Sequence, residues 1–158
     1  MNADYWLAPA LGIGFAAGLR SMTAPAAVSW AAHMGRLSLR GTALGFMGTA
    51  AAVGIFSVLA LAEYVVDLLP QAPNRTEPAS LVVRIVTGGL SGACLCASAG
   101  HSAVVGAMLG AIGGVVGAFA GFEARTRLVK GLKVPGAVIA IPEDVVAIGL
   151  AYLIVFRL

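Results

Sequence analysis

The stretch that decides the fold is GLRSMTAP, residues 18–25, which lies inside a long apolar run. It places a full charge, two hydroxyl groups and a proline among residues that are almost all apolar. A charged side chain at the centre of a membrane helix costs about 2.5–3.5 kcal/mol, and proline interrupts the hydrogen-bond ladder of a helix. The stretch therefore predicts a broken helix with a polar site inside a membrane protein.

The composition also indicates a membrane protein. Hydrophobic residues make up 59% of the 158 residues and charged residues only 11%, whereas charged residues make up about a quarter of a typical soluble domain. The formal net charge is +3, and the basic residues cluster between apolar runs. Such clustering is typical of membrane orientation signals, and we expect no nucleic acid as a partner. We predict one polytopic transmembrane domain over residues 1–158, with the lipid bilayer as its surroundings.

Five apolar runs predict an all-α fold with about five transmembrane helices, two of them broken. The runs cover residues 5–32, 41–69, 81–100, 102–122 and 134–156. A straight helix over the first run would be about 42 Å long, against a hydrocarbon core of about 30 Å, so we predict a break at residues 23–25. There Thr23 would cap a second half-helix, and Pro25 would lie in its first turn. The second predicted break is at residues 141–144, where Pro142 would begin a helix.

The distribution of Lys and Arg predicts the orientation. With five spans, the N-terminus shares one side with the loop over residues 70–80 and with residues 123–133, which we predict to be the most basic loop. An excess of Lys and Arg marks the cytoplasmic side, which places the N-terminus in the cytoplasm.

The fourth run carries a stripe of glycines at spacings of four, three, four and four: Gly106, Gly110, Gly113, Gly117 and Gly121. Small residues on one helical face let two helix backbones approach closely, so the stripe predicts tight helix pairing. Two chains could pair through the same stripe, and we therefore predict a homo-oligomer.

The first two runs resemble the last two. Each pair combines a glycine-rich helix, an arginine at its polar end and a helix with two carboxylates beside a proline, and EYVV at residues 63–66 matches EDVV at residues 143–146. The number of spans between them would make the two halves inverted in the membrane, as in many secondary transporters. An inverted two-helix repeat is therefore one hypothesis for the architecture.

Charged and hydroxyl side chains in or beside the apolar runs form the candidate site for substrate binding or ion relay: Arg20, Ser21, Thr23, Glu63, Asp67, Arg84, Glu143 and Asp144. Charges inside a membrane protein must pair or line water. Two arginines face four carboxylates in this set, and spare carboxylates suit a proton relay, whereas arginine suits binding of phosphate or carboxylate. The alternative is that the charges only hold the helices together. We assign no catalytic, cofactor-binding or metal-binding residue.

Three functions are compatible with this pattern. We rank first a transporter or channel for a small anion or an anionic lipid headgroup, with proton coupling as one option. A non-catalytic membrane scaffold ranks second. An intramembrane enzyme acting on a lipid phosphate ranks third, because Arg20, Ser21 and Thr23 opposite Glu63 and Asp67 are loosely similar to the motifs of polyprenyl-diphosphate phosphatases. Met22 stands where those motifs have glycine.

Four segments carry a resemblance to a known family: GLRSMTAPA at residues 18–26, PNRT at 73–76, RIVTG at 84–88 and EDVVAI at 143–148. With these segments the chain resembles the bacterial integral-membrane family called domain of unknown function 4126. The resemblance implies a small multi-pass protein of the bacterial inner (cytoplasmic) membrane. It implies no established activity, so no catalytic residue follows from it.

Overall fold

The computed structural model describes residues 6–69 and 76–157, and this part of the chain is helical apart from short connections. Its α-helices are α1 (Leu7–Leu19), α2 (Thr23–His33), α3 (Ala50–Asp67), α4 (Pro78–Ser98), α5 (Ala103–Leu132) and α6 (Gly136–Phe156), with a short 3₁₀ helix at Gly45–Gly48. The described residues contain no strand, so the predicted all-α class is confirmed. Helices α3 to α6 are each long and apolar enough to cross a membrane.

The helices turn apolar side chains outward and polar side chains inward. Val58, Val104 and Val145 are each about two-thirds exposed, whereas Arg20 and Ser91 are fully buried. Large exposed apolar surfaces are rare on soluble monomers, and lipid tails solvate such surfaces without cost. Together with four helices that can span a bilayer, this distribution is that of a multi-pass membrane protein.

The first apolar run is broken, as the sequence predicts, but the break is at residues 20–22 and not at residues 23–25, which are the first residues of α2. Helix α1 ends at Leu19, Arg20 has an extended backbone with φ −140° and ψ 110°, and α2 begins at Thr23. The predicted cap is wrong in one respect. Met22 occupies the position before α2, and the Thr23 hydroxyl lies 2.7 Å from the hydroxyl of Tyr64 instead of capping the helix.

Helices α1 and α2 form a hairpin whose outer ends lie at the same end of the bundle. Helix α6 is antiparallel to α1, because Asp144 lies at Arg20 and Ile154 lies beside Gly12. The later residues of α2 lie beside Tyr152 and Phe156, near the end of α6. Both half-helices therefore run from the break towards the C-terminal end of α6.

This hairpin changes the predicted topology. The structure has four candidate membrane spans and a hairpin that enters and leaves on one side, rather than five spans. The start of α1 and the end of α3 consequently lie at opposite ends of the bundle. The sequence predicts that the N-terminus lies on the same side as the loop over residues 70–80. This prediction is wrong, because the first residues of α1 lie at the opposite end from the last residues of α3.

Two predicted helix boundaries are also wrong. Helix α3 begins at Ala50 rather than near residue 41, because the Thr49 side chain accepts a hydrogen bond from the Ala52 backbone N–H at 3.2 Å and caps the helix. Helix α5 continues to Leu132, so the predicted basic loop over residues 123–133 is helical up to that residue. Residues 122–130 contain no glycine or proline, and helical segments without such breakers can continue beyond the membrane.

The second predicted helix break does not occur. Helix α6 is continuous from Gly136 to Phe156 and contains Pro142 in its interior. Proline removes one backbone hydrogen bond, and packing against neighbouring helices makes this tolerable in a membrane protein. Only the first of the two predicted broken helices is therefore broken. The second half of the proposed inverted repeat therefore has no helix break to match the one in the first half, and the repeat remains a hypothesis.

Glycines bring α1, α4 and α5 together backbone to backbone. Gly14 of α1 and Gly88 of α4 both face the backbone of Gly110 in α5, and Gly18 packs against Gly117. The predicted tight pairing through the glycine stripe is confirmed, but its partners are helices of the same chain. The stripe is therefore not free to pair two chains, and the predicted homo-oligomer has no support from it.

The close contact at Gly14 predicts a specific loss of stability. A Cβ atom at this position would lie 2.7 Å from the Gly110 carbonyl carbon, whereas nothing lies within 4 Å of a Cβ at Gly54 on the outer surface of α3. We expect Gly14→Ala to lower the free energy of unfolding by about 2 kcal/mol. Gly54→Ala is the matched control and should change it by less than about 1 kcal/mol. Thermal unfolding in detergent measures both, and equal melting temperatures would contradict the packing described.

The hairpin predicts which positions share a side of the membrane. In single variants, cysteines at Leu7 and His101 should react with a membrane-impermeant maleimide from the same side of a sealed vesicle, and a cysteine at Lys130 from the opposite side. All three positions are exposed, whereas the native Cys94 and Cys96 are buried and should not react. Labelling of Leu7→Cys from the side of Lys130→Cys, instead of the side of His101→Cys, would restore the five-span topology.

Candidate functional site

A cluster of charged side chains surrounds the break between α1 and α2. Arg20 is fully buried at the tip of the hairpin. Each of the four long helices contributes at least one charged side chain near Arg20. These side chains are Glu63 and Asp67 of α3, Arg84 of α4, Arg125 of α5 and Asp144 of α6. The break thus lies where all the long helices meet.

Arg84 satisfies the end of α1. Its Nη1 donates hydrogen bonds to the carbonyl oxygens of Gly18 at 2.9 Å and Leu19 at 3.2 Å, with the carbonyl oxygen of Ala17 at 3.5 Å. The last carbonyls of a helix have no partner within the helix, and they form the negative end of its dipole. A buried guanidinium at this position gives these carbonyl groups hydrogen-bond donors and places a positive charge at the negative end of the dipole.

Glu63 satisfies the beginning of α2 in the opposite way. Its Oε1 accepts hydrogen bonds from the Ser21 backbone N–H at 2.8 Å and the Ser21 hydroxyl at 2.9 Å, and its Oε2 accepts one from the Met22 N–H at 2.9 Å. A carboxylate is favourable at the positive end of a helix dipole. Arg84 Nη2 lies 3.8 Å from Glu63 Oε1, so the two caps also attract each other.

Arg20 forms ion pairs with two different helices. Its Nη1 donates a hydrogen bond to Asp67, and its Nε pairs with Asp144. The Cζ atom of Arg20 lies 5.8 Å from the centre of the Tyr64 ring, a distance at which a cation is attracted to an aromatic face. Within residues 6–69 and 76–157, no side chain or backbone group accepts a hydrogen bond from Arg20 Nη2. One donor group of a fully buried guanidinium is thus left over.

Arg125 is a charged residue of the cluster that the sequence analysis missed. Its Nη1 lies 3.6 Å from Asp67 Oδ2, and its Nη2 donates to the Gly136 carbonyl oxygen at 3.2 Å, at the start of α6. The sequence predicts a loop over residues 123–133. The signal that could have identified Arg125 is its spacing, because it follows Gly121 by four residues and so continues the buried glycine face of α5.

Seven of the eight candidate residues come together around the break, and Glu143 does not take part in the contacts described above. Glu143 lines a separate cavity of about 340 Å³ between α1, α5 and α6, which Arg125 also lines. With Arg125 included, three guanidinium groups face three carboxylates around the break, so the predicted surplus of acid disappears there. Among the described residues, no three His, Cys, Asp or Glu side chains form a group that could hold a metal ion.

The arrangement separates the charges by what they contact. Glu63 and Arg84 bind backbone groups of the hairpin, whereas Arg20, Asp67 and Asp144 bind one another. A guanidinium can bind a carboxylate or phosphate through two parallel hydrogen bonds, and a buried carboxylate that loses its cation favours the protonated form. We call Arg20, Asp67 and Asp144 the Arg20 group. Its guanidinium has the chemistry needed to bind an external anion in place of a protein carboxylate.

The capping contacts predict a large effect on stability. Removing one partner of a buried ion pair costs about 3–5 kcal/mol, so Glu63→Gln and Arg84→Gln should each lower the free energy of unfolding by about that amount. Arg127→Gln is the control, because the Arg127–Glu123 pair is largely exposed and such pairs contribute about 1 kcal/mol or less. Thermal unfolding in detergent compares the variants. Losses at Glu63 and Arg84 no larger than at Arg127 would contradict their role as caps.

Comparison with known proteins supports the resemblance found in the sequence. Residues 7–157, which contain all six helices, match the family described as "Domain of unknown function (DUF4126)". No curated protein and no solved structure matches the chain significantly. Because the family match covers nearly the whole chain, the protein belongs to the DUF4126 family of unknown function.

Proposed function

We propose that this protein transports a small anion, or an anionic lipid headgroup, together with a proton across the bacterial cytoplasmic membrane. The observation that carries the proposal is the state of Arg20. It is fully buried at the tip of a hairpin of two half-helices, it is held by carboxylates from α3 and α6, and its Nη2 donates to no group of the described chain.

The proposed step is an exchange of anions at Arg20. An entering anion displaces Asp67 or Asp144 from the Arg20 guanidinium, and the displaced carboxylate takes up one proton from the aqueous side from which the anion came. The positive charge of Arg20 is then balanced by the bound anion and the protein carries no additional net charge. Release of the anion and the proton on the other side restores the ion pair.

The depth of the site supports this proposal. Arg84 lies about 9 Å along α4 from its first residue, and Asp144 lies about 12 Å along α6 from its first residue. Measured along α4 and α6, the Arg20 group lies inside the candidate spans, towards the end at which both helices begin and at which α3 ends with Asp67. Half-helices that meet at such a depth form the binding sites of many secondary transporters.

A membrane scaffold is the second candidate, and the caps favour it. Glu63 and Arg84 act on the backbone of the hairpin, so part of the buried charge has a purely structural explanation. The third function, an enzyme acting on a lipid phosphate, would need Ser21 and Glu63 to face a substrate. In the structure the Ser21 hydroxyl donates to Glu63 instead.

Proteoliposomes loaded with the pH-sensitive dye pyranine test the transport proposal. Addition of chloride, inorganic phosphate, sulfate or glycerol phosphate to the outside should acidify the interior with at least one of the four anions. Arg20→Lys keeps the charge between the two carboxylates but loses the planar fork of donors. We expect it to lower the rate of acidification by about tenfold, since one charge-assisted hydrogen bond contributes about 1.5–3 kcal/mol.

Arg40→Gln is the control for this experiment, because Arg40 is an exposed arginine outside the helices, and its rate should equal that of the wild type. Asp144→Asn should reduce proton uptake more than uptake of the radiolabelled anion. If no anion acidifies the vesicles, or if Arg20→Lys transports like the wild type with an unchanged melting temperature, the transport proposal is wrong. The scaffold then remains the better explanation.

A further inference from the structure

A groove between α2, α3 and α6 is separate from the ion pairs of Arg20. It has a volume of about 640 Å³, which lies in the range of about 300–1,000 Å³ found for ligand sites. Its walls are mostly alanine, aliphatic and aromatic side chains. The groove ends near the site at Thr23 and Tyr64, whose hydroxyl groups bond to each other at 2.7 Å. This inner end therefore presents apolar surface and two hydroxyl groups that are hydrogen-bonded to each other.

The length of the groove corresponds to one leaflet of a bilayer. It extends along α2 from Thr23 to Met34, which is about 16 Å of helix. Half of the hydrocarbon core of a membrane is about 15 Å thick. The aromatic side chains of Trp30 and Tyr152 line the outer part and are each about half exposed, as is typical of residues near the membrane interface.

The outer end of the groove carries a positive charge. Arg36 is exposed and lies just beyond α2, and it is the one charged residue among the described residues that line the groove. Within residues 6–69 and 76–157, no carboxylate lines the groove to neutralise this charge. An apolar channel one leaflet deep with a cation at its mouth has the pattern of a lipid, with an acyl chain inside and an anionic headgroup at the surface.

We propose that this groove binds one acyl chain of an anionic phospholipid, with the lipid phosphate on Arg36 and the end of the chain near Tyr64. The inference does not depend on transport at Arg20. It assigns the surface between α2, α3 and α6 to a particular class of membrane lipid rather than to general solvation by the bilayer.

Fluorescence quenching by brominated lipids tests this proposal, because Trp30 lies in the groove. The chain has two tryptophans, so the test uses Trp6→Phe protein, in which Trp30 is the only one. Phosphatidylglycerol with brominated chains should quench Trp30 at an about fivefold lower mole fraction than brominated phosphatidylcholine, which is the preference expected from one basic residue at the surface. Equal quenching by the two lipids would overturn the proposal.

Two pairs of variants locate the binding site. Arg36→Gln should abolish the preference for phosphatidylglycerol, and Arg40→Gln, at an exposed arginine that does not line the groove, should retain it. Ala26→Leu fills the groove and should reduce quenching by brominated phosphatidylglycerol, whereas Ala62→Leu on the exposed surface of α3 should not. A preference that persists in both Arg36→Gln and Ala26→Leu would show that the lipid binds elsewhere.

Discussion

The fold depends on how the protein satisfies backbone groups at a helix break buried inside the helix bundle. The end of α1 leaves carbonyl oxygens without partners and the start of α2 leaves N–H groups without partners, and lipid offers neither. Arg84 and Glu63 satisfy the two ends with charges of opposite sign and also lie within 3.8 Å of each other. Each side chain thus compensates a helix dipole, and each reduces the cost of burying the other. A hairpin can therefore turn in the interior of the helix bundle.

The structural role of Glu63 and Arg84 reduces the number of buried charges that need a functional explanation. Both contribute to the excess of buried charge in the sequence, but their contacts are with the main chain. The part of the cluster in which charged side chains pair with one another is Arg20 with Asp67 and Asp144. Asp67 also faces Arg125 on α5, so the cluster links the hairpin to the last part of α5, which the sequence predicts to be a loop.

The sequence predicted features that depend on composition and local pattern. An arginine and a proline in an apolar run indicated the break, and the cost of buried charge identified seven residues that meet there. The glycine spacing indicated close packing, but not which helix would be the partner, because that depends on the arrangement of all the helices. Pro142 was misleading for the same reason, since tertiary packing overrides local propensity. The return of α2 to the side of α1 is likewise set by contacts with α6 rather than by any local signal.

The backbone contacts between glycines divide the molecule into two mechanically different parts. Helices α1, α4 and α5 touch through main-chain atoms, with no side chains between them that could repack at Gly14, Gly88 and Gly110. Helices α2, α3 and α6 are separated by side chains and by a groove, and side chains can change rotamer. The first group has one fixed spacing, whereas the second can adjust. Arg20 lies at the boundary between a rigid frame and an adjustable unit, where a small displacement of α3 or α6 alters its ion pairs first.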